Sequence, residues 1–285
     1  MESLKILRRR IKSVSSTMQL TRAMELVSAA KLRKAQTRLV SSRPYASKMQ
    51  VILENLSSAS TAITHPLFEK REVKHKCLVI INSDRGLCGS YNVNVFRKAE
   101  EFLSQETKDK IKLVLIGRRG FYHYRRRPWE IRLKYLDFGG KLELTIVKEI
   151  TSSLVNLFLS REVDEIFLLY TKFLTVTSYR VALEKFLNIE QPEDKEEKGY
   201  IEYIFEPSAE MLFDNLLPRY CLTRVQIALS EAFASEQGSR MIAMGAATRN
   251  AEEMIDQLTL LRNKARQAAI TKEMVEIASG VEALK

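Results

Sequence analysis

The sequence predicts a mixed α/β chain: two long terminal helices wound into an antiparallel coiled coil, with a parallel α/β domain inserted between them. Three observations predict it. The C-terminal segment carries apolar or small residues at alternating steps of three and four. The N-terminal segment repeats that pattern. The middle of the chain alternates short β-branched runs with helical stretches. A chain of 285 residues with 45% apolar content has material for a modest core and excludes global disorder. The expected boundaries are an N-terminal helix over 1–56, a linker over 57–75, the α/β domain over 76–206 and a C-terminal helix over 207–285.

In the first segment Leu4, Leu7, Ile11, Val14, Met18, Thr21 and Met24 follow the three-four step, with no proline before Pro44. Ala23, Ala29, Ala30 and Ala35 are expected to face Ala246, Ala247, Ala251, Ala265, Ala268 and Ala269, since small side chains let helix axes approach closely. The first fifty residues hold twelve Lys or Arg against Glu2 and Glu25, a net of +10 out of +11 for the whole chain. That surface attracts an acidic partner or is simply a solvated face. Nucleic acid is disfavoured. Tyr45 is the only aromatic residue in those fifty, so base stacking has almost nothing to use, and the seam runs straight through the basic run Arg8, Arg9, Arg10 and Lys12.

From Lys76 the pattern changes. KCLVIIN reads as a strand, SDRGLCGS as a turn, and Val93 to about Gln105 as a helix. IKLVLIG over Ile111–Gly117, a helical RRGFYHYRRR, a strand over Glu130–Leu136, a helix over Leu142–Leu159 and a strand over Val163–Phe173 continue the alternation expected of a parallel sheet. Val176–Leu187 and Gly199–Phe205 read as final strands around a solvated acidic loop, Glu190–Glu197. The turn Ser83–Ser90 stands where α/β folds often hold phosphate, yet it has neither GxGxxG nor GxxxxGK. Gly86 and Gly89 therefore serve a tight turn or close packing, and Asp84 and Arg85 are expected to pair across it.

From Arg219 to the end no proline occurs, a rod of about 100 Å if wholly helical. Its seam passes through Met241, Met244, Thr248, Ala251, Ile255, Leu258, Arg262, Ala265, Ala269 and Lys272. The mean spacing of about 3.5 implies a left-handed supercoil with a partner helix. Cys77, Cys88 and Cys221 form no CxxC pair, and His65, His75 and His123 lack the spacing of a zinc site. No apolar run is long enough for a membrane span. No nucleophile–base pair or metal cluster stands out, which points to a chain without chemistry of its own and without a cofactor.

Three separated blocks make the pattern specific: RRIKSVSSTMQLTRAMELVSAAKLRKAQ (Arg9–Gln36), SDRGLCGSYN (Ser83–Asn92) and NKARQAAITKEMVEI (Asn263–Ile277), with YIFEPSAEMLFDNLLPRY (Tyr203–Tyr220) as a fourth. Together they resemble the gamma-subunit family of F-type ATP synthases, the central rotor stalk, over essentially the whole chain. The first block begins inside an Arg-rich, acid-poor N-terminus that otherwise has the look of a transit peptide, so the resemblance argues for mature protein.

The resemblance implies a Rossmann-like inserted domain and a shaft with no chemistry of its own. Proton-driven rotation of a membrane ring turns that shaft inside a hexamer of alternating alpha and beta subunits, one copy per complex. It further implies contact with an epsilon subunit and the c-ring, no direct membrane insertion, and a peripheral place on the cytoplasmic face of a bacterial inner membrane. Carried over residue by residue, the beta-subunit contact falls on Arg266, Gln267 and Thr271, with Glu273 nearby. Met24 takes a position that affects coupling in the helix pair, where ordinary seam packing is the other reading. Tyr203 and Glu206 fall near the membrane ring and the epsilon subunit. The chain departs from the family pattern at Gly245, Ser90 and Val281. Asn188–Tyr200 holds no cysteine, so the thiol switch of chloroplast relatives is not expected. Two other classes stand beside this reading: a nucleotide-binding α/β enzyme centred on Ser83–Asn92, and a coiled-coil nucleic-acid binder using residues 1–50.

Overall fold

A computed structural model describes residues 4–59, 65–138, 143–189 and 209–282. The element order begins with α1 (Leu4–Ala59), β1 (Lys76–Ile81), α2 (Tyr91–Leu103), β2 (Ile111–Ile116), α3 (Arg118–Tyr124) and β3 (Glu130–Tyr135). It continues with α4 (Leu144–Leu159), β4 (Glu165–Phe173), β5 (Tyr179–Leu187) and α5 (Ala209–Glu282). The chain divides into two compact units. One comprises residues 1–29 with 240–285, and the other residues 30–239. This division cuts across both long helices rather than following their ends.

In the larger unit the strand order is β3-β2-β1-β4-β5. β1 pairs parallel with β2 and β4, and β2 pairs parallel with β3. β5 departs from the all-parallel expectation and lies antiparallel to β4. The reason is local. Ser178 closes a hairpin, its carbonyl accepting from Thr175 N at 2.9 Å and its own N–H donating to Thr175 Oγ1 at 3.0 Å, and a chain returning through so short a loop must run antiparallel. Segment 176–178 is thus turn, and the strand starts at Tyr179. The expected strand at 199–205 and the acidic loop at 190–197 lie outside the described residues.

The central strands are buried on both faces, which is why KCLVII and IKLVLI read as continuous apolar runs. Their side chains feed two cores. Leu78, Ile80, Leu113, Leu115 and Leu169 meet Val95, Ala99 and Leu103 of α2 and Tyr124 of α3. On the other face Cys77, Val79, Ile81, Ile166 and Leu168 meet Ile150, Leu154 and Phe158 of α4. Met49 and Leu53 of α1 join them, as do Phe213, Leu217, Cys221 and Val225 of α5.

α5 begins at Ala209, ten residues before the segment counted back to Arg219, and carries Pro218 inside it. A proline within a helix removes one backbone hydrogen bond. Burial of Phe213, Leu217 and Cys221, none more than 1% exposed, holds the first turns helical across that defect. Pro44 sits inside α1 in the same way, between Leu39 and Met49, which are 2% and 5% exposed.

Along α1 the buried and half-buried positions include Leu4, Leu7, Ile11, Val14, Met18, Thr21, Met24, Ser28, Leu32, Ala35, Leu39, Ser42, Ala46, Met49 and Leu53, which keeps the three-four step throughout. On α5 the seam from Met241 to Ala269 is buried or half-buried at every expected position, whereas Lys272 is exposed. The alanine pairing needs correction at two points. Ala23 and Ala30 are exposed, because each falls two positions, about 200° of helix, from the seam that Thr21, Ser28 and Leu32 define.

Candidate functional site

In the smaller unit, α1 and α5 are antiparallel. Thr21 Oγ1 and Thr248 Oγ1 lie 2.9 Å apart, both residues buried, and each hydroxyl is also engaged with the carbonyl one turn back in its own helix. Arg22 Nη1 lies 3.8 Å from Glu252 Oε1, an exposed pair of small energetic weight. A Cβ on Gly245 would stand 2.9 Å from Glu25 Oε1, so the glycine makes room for that carboxylate to lie across α5. This accounts for Gly245 without any bend in the helix.

The same register carried toward the N-terminus sets Leu4 beside Ala265 and Arg266. Beyond them no described residue of α1 lies alongside α5, and every residue from Ile270 to Gly280 is exposed. Arg266, Gln267, Thr271 and Glu273 are exposed as well, and Thr271 Oγ1 donates to Gln267 O at 3.0 Å. At 3.6 residues per turn these four span about 160° of the helix, the side opposite Ala265 and Ala269. Sequence reasoning missed three residues inside that arc: Ile270, Met274 and Ile277, which are 49%, 65% and 69% exposed. Their three-four spacing, displaced from the seam, was the available signal. The tip therefore presents a mixed surface of apolar side chains ringed by hydrogen-bonding groups.

Met24 is half-buried next to Glu25. Tyr203 and Glu206 lie outside the described residues.

In the larger unit the turn after β1 is a folded collar. Asn92 Oδ1 accepts from Ser83 N at 3.2 Å, and Asn92 Nδ2 donates to Ser83 Oγ at 2.8 Å and Cys88 Sγ at 3.2 Å. Asp84 Oδ1 accepts from the backbone N–H of Arg118 at 3.0 Å and of Asp137 at 3.1 Å, tying this turn to the segments that follow β2 and β3. Asn82 Oδ1 accepts from Gly120 N at 3.0 Å. Gly117, at φ 109°, passes so close that a Cβ would stand 2.3 Å from Asn82 O. Ser239 of α5 donates to Cys88 O at 2.6 Å, and Tyr179 OH lies 3.3 Å from Ser239 Oγ and 3.4 Å from Ser90 Oγ. The polar groups that a phosphate loop would aim outward here face the protein, so the turn grips α5.

Below the collar, polar pins join the long helices to the sheet. Arg43 Nη2 of α1 donates to Phe173 O at 3.1 Å and to Glu231 Oε1 of α5 at 3.3 Å. Arg224 donates to Tyr220 OH at 2.9 Å and to Glu184 Oε2 and Lys185 O at 3.3 Å. Burial raises the Glu231 carboxyl above its ordinary range, with Arg43 opposing. Burial also pushes Glu184 upward, but Lys172 and Arg224 outweigh it and hold that carboxyl below the usual value. Charges buried at such a junction hold register more than they add stability. The three cysteines are buried, and among the described residues no cluster of His, Cys, Asp or Glu is arranged to hold a metal. No described helix is long and apolar enough to cross a membrane.

The comparisons with known proteins agree with this geometry. A family model described as ATP synthase matches residues 3–284. The ATP synthase gamma chain of Moorella thermoacetica is 47% identical over 285 residues, covering 100% of both chains, and that of Protochlamydia amoebophila is 44% identical with the same coverage. Among solved structures, a chain of the Euglena gracilis mitochondrial ATP synthase superposes with a TM-score of 0.72 at 16% identity, over 99% of this chain and 94% of that one. A chain from the Tetrahymena thermophila mitochondrial ATP synthase central stalk and c-ring gives 0.63 at 25% identity, over 80% and 99%. On these matches, which run the length of the chain, the protein belongs to the ATP synthase gamma chain family.

Proposed function

We propose that this chain is the central rotating shaft of an F-type ATP synthase, coupling the turning of a membrane ring to conformational change in the nucleotide-binding sector. The observation that carries the reading is the family match over residues 3–284, borne by a chain whose α5 outruns its partner helix and offers a one-sided tip. A single helix is asymmetric about its axis. Presented successively to three equivalent binding sites, it stabilises a different conformation at each one, and rotation becomes a population shift.

The reading extends to partners and residues. An alpha–beta hexamer surrounds one copy of the chain. Arg266, Gln267 and Thr271, with Glu273, make contacts with beta that form and break as the shaft turns, and charge-assisted hydrogen bonds suit that exchange. Met24 tunes the helix pair. Tyr203 and Glu206 serve the foot, toward the epsilon subunit and the c-ring. The chain itself performs no chemistry, and it works peripherally on the cytoplasmic face of a bacterial membrane.

The test is reconstitution. Complexes carrying Arg266→Ala or Gln267→Ala should assemble with alpha- and beta-type subunits but turn over ATP several-fold more slowly, while the purified chain alone hydrolyses none. Substantial ATPase activity from the isolated chain would refute the assignment.

A further inference from the structure

Outside the shaft and its collar, a cleft of about 330 Å³ opens between α2 and the start of β5, lined by Asn94, Arg97, Lys98, Glu101, Tyr179, Arg180 and Val181. Its charge balance is uneven. Lys98 Nζ and Glu101 Oε2 pair at 2.7 Å, which neutralises the cleft's one carboxylate and holds its pKa below the usual value. Arg97 makes a single long contact, Nη2 to Asn94 Oδ1 at 3.4 Å, and among the described residues no carboxylate lies within ion-pairing distance of Arg97 or Arg180. Two guanidinium forks thus border one cavity without a direct carboxylate contact, Arg97 acting on Glu101 only at longer range.

We infer that this cleft binds a soluble, multiply charged phosphate anion of diphosphate size, gripped by Arg97 and Arg180 with Asn94 and Tyr179 as neutral hydrogen-bond partners. The chemistry selects the class. Guanidinium groups match phosphate oxygens two at a time, so a pair of them satisfies an anion with several such faces better than a lone carboxylate. The cavity is also too large for a single chloride or carboxylate to fill.

The site reports inward through one side chain. Tyr179 OH stands between Ser90 Oγ and Ser239 Oγ, and Ser239 holds Cys88 O. An anion that takes the Tyr179 hydroxyl competes directly with the grip of the collar on α5.

The test uses the full chain and sodium pyrophosphate, titrated calorimetrically at fixed ionic strength, with ADP in parallel. Saturable uptake of pyrophosphate is expected, weakened at least about tenfold in the Arg97→Ala/Arg180→Ala double variant. It should be unchanged in Arg125→Ala/Arg126→Ala, which removes the same charge elsewhere on the surface. All four side chains are exposed, so the variants should fold like the parent. Absence of saturable binding, or equal loss in both double variants, overturns the site in favour of diffuse attraction. Retention on phosphatidylglycerol vesicles that needs Arg97 and Arg180, without pyrophosphate uptake, overturns the soluble source in favour of a lipid headgroup. ADP uptake comparable to that of pyrophosphate would support the site and show that it reads phosphate alone.

Discussion

Asp84 shows how much a single side chain can carry. One of its oxygens accepts from two exposed backbone N–H groups, at the start of α3 and just past β3, so Asp84→Ala, with water taking its place, should lower stability by about 1 kcal/mol, read as a shift in urea midpoint at constant slope. Gly245→Ala has the opposite sign. It gains up to about 1 kcal/mol of helix propensity and asks only that the flexible end of Glu25 step aside, so a modest rise in midpoint is expected. The buried thiols set a pH dependence. Burial pushes Cys77 and Cys221 up to about 12, against about 8.5 for an unfolded thiol. A folded pKa above the unfolded one means that the stability is intact at neutral pH and is lost as pH climbs from about 8.5 toward 12, by up to about 1.4 kcal/mol per pH unit and thiol. Unfolding midpoints between pH 8 and 11 should fall, with a shallower slope in Cys221→Ala. The turn SDRGLCGS illustrates what was legible at this scale. The glycines and the missing phosphate fingerprints pointed to a tight turn or close packing, but nothing local announced that Asp84 would bond across to Arg118 and Asp137, or that Ser239 would close on Cys88 O. Those partners are joined only by the folded sheet.

At the scale of elements, periodicity did most of the work. The three-four seam anticipated both long helices, and their place at opposite ends of the sequence around a folded segment anticipated the antiparallel pairing. It failed where another force intervened. Pro218 is a local stop signal overruled by Phe213 and Leu217 in the core, and β5 reverses direction because a short hairpin admits nothing else. The seam also ends earlier than its pattern, at Ala269, since Lys272 falls on the same step yet is exposed. Amide exchange should display that break. Residues 244–265 should be protected and 271–280 should exchange fastest within α5, a gradient that assembly with partner subunits would erase.

For the whole molecule, the family and the stalk role were recoverable from four blocks of sequence, whereas the residues that make up the exposed face of the tip were only partly so. Arg266, Gln267 and Thr271 came from resemblance. Ile270, Met274 and Ile277 became visible once the register showed which face α1 leaves bare. In reconstituted complexes, Ile270→Ser with Met274→Ser should leave the isolated chain's stability within about 0.5 kcal/mol, because both side chains are already in water. The same pair should lower turnover by the assembly if the apolar residues belong to the contact.

The unaccompanied end of α5 has a mechanical meaning as well. Two helices wound together resist twisting far better than one, so the turns past Ala269 form the compliant segment of a rod that is stiffer along the rest of its coiled length. Elastic elements in series concentrate strain in the softest one. A load applied at the tip would be stored there first, as torsion of a few helical turns.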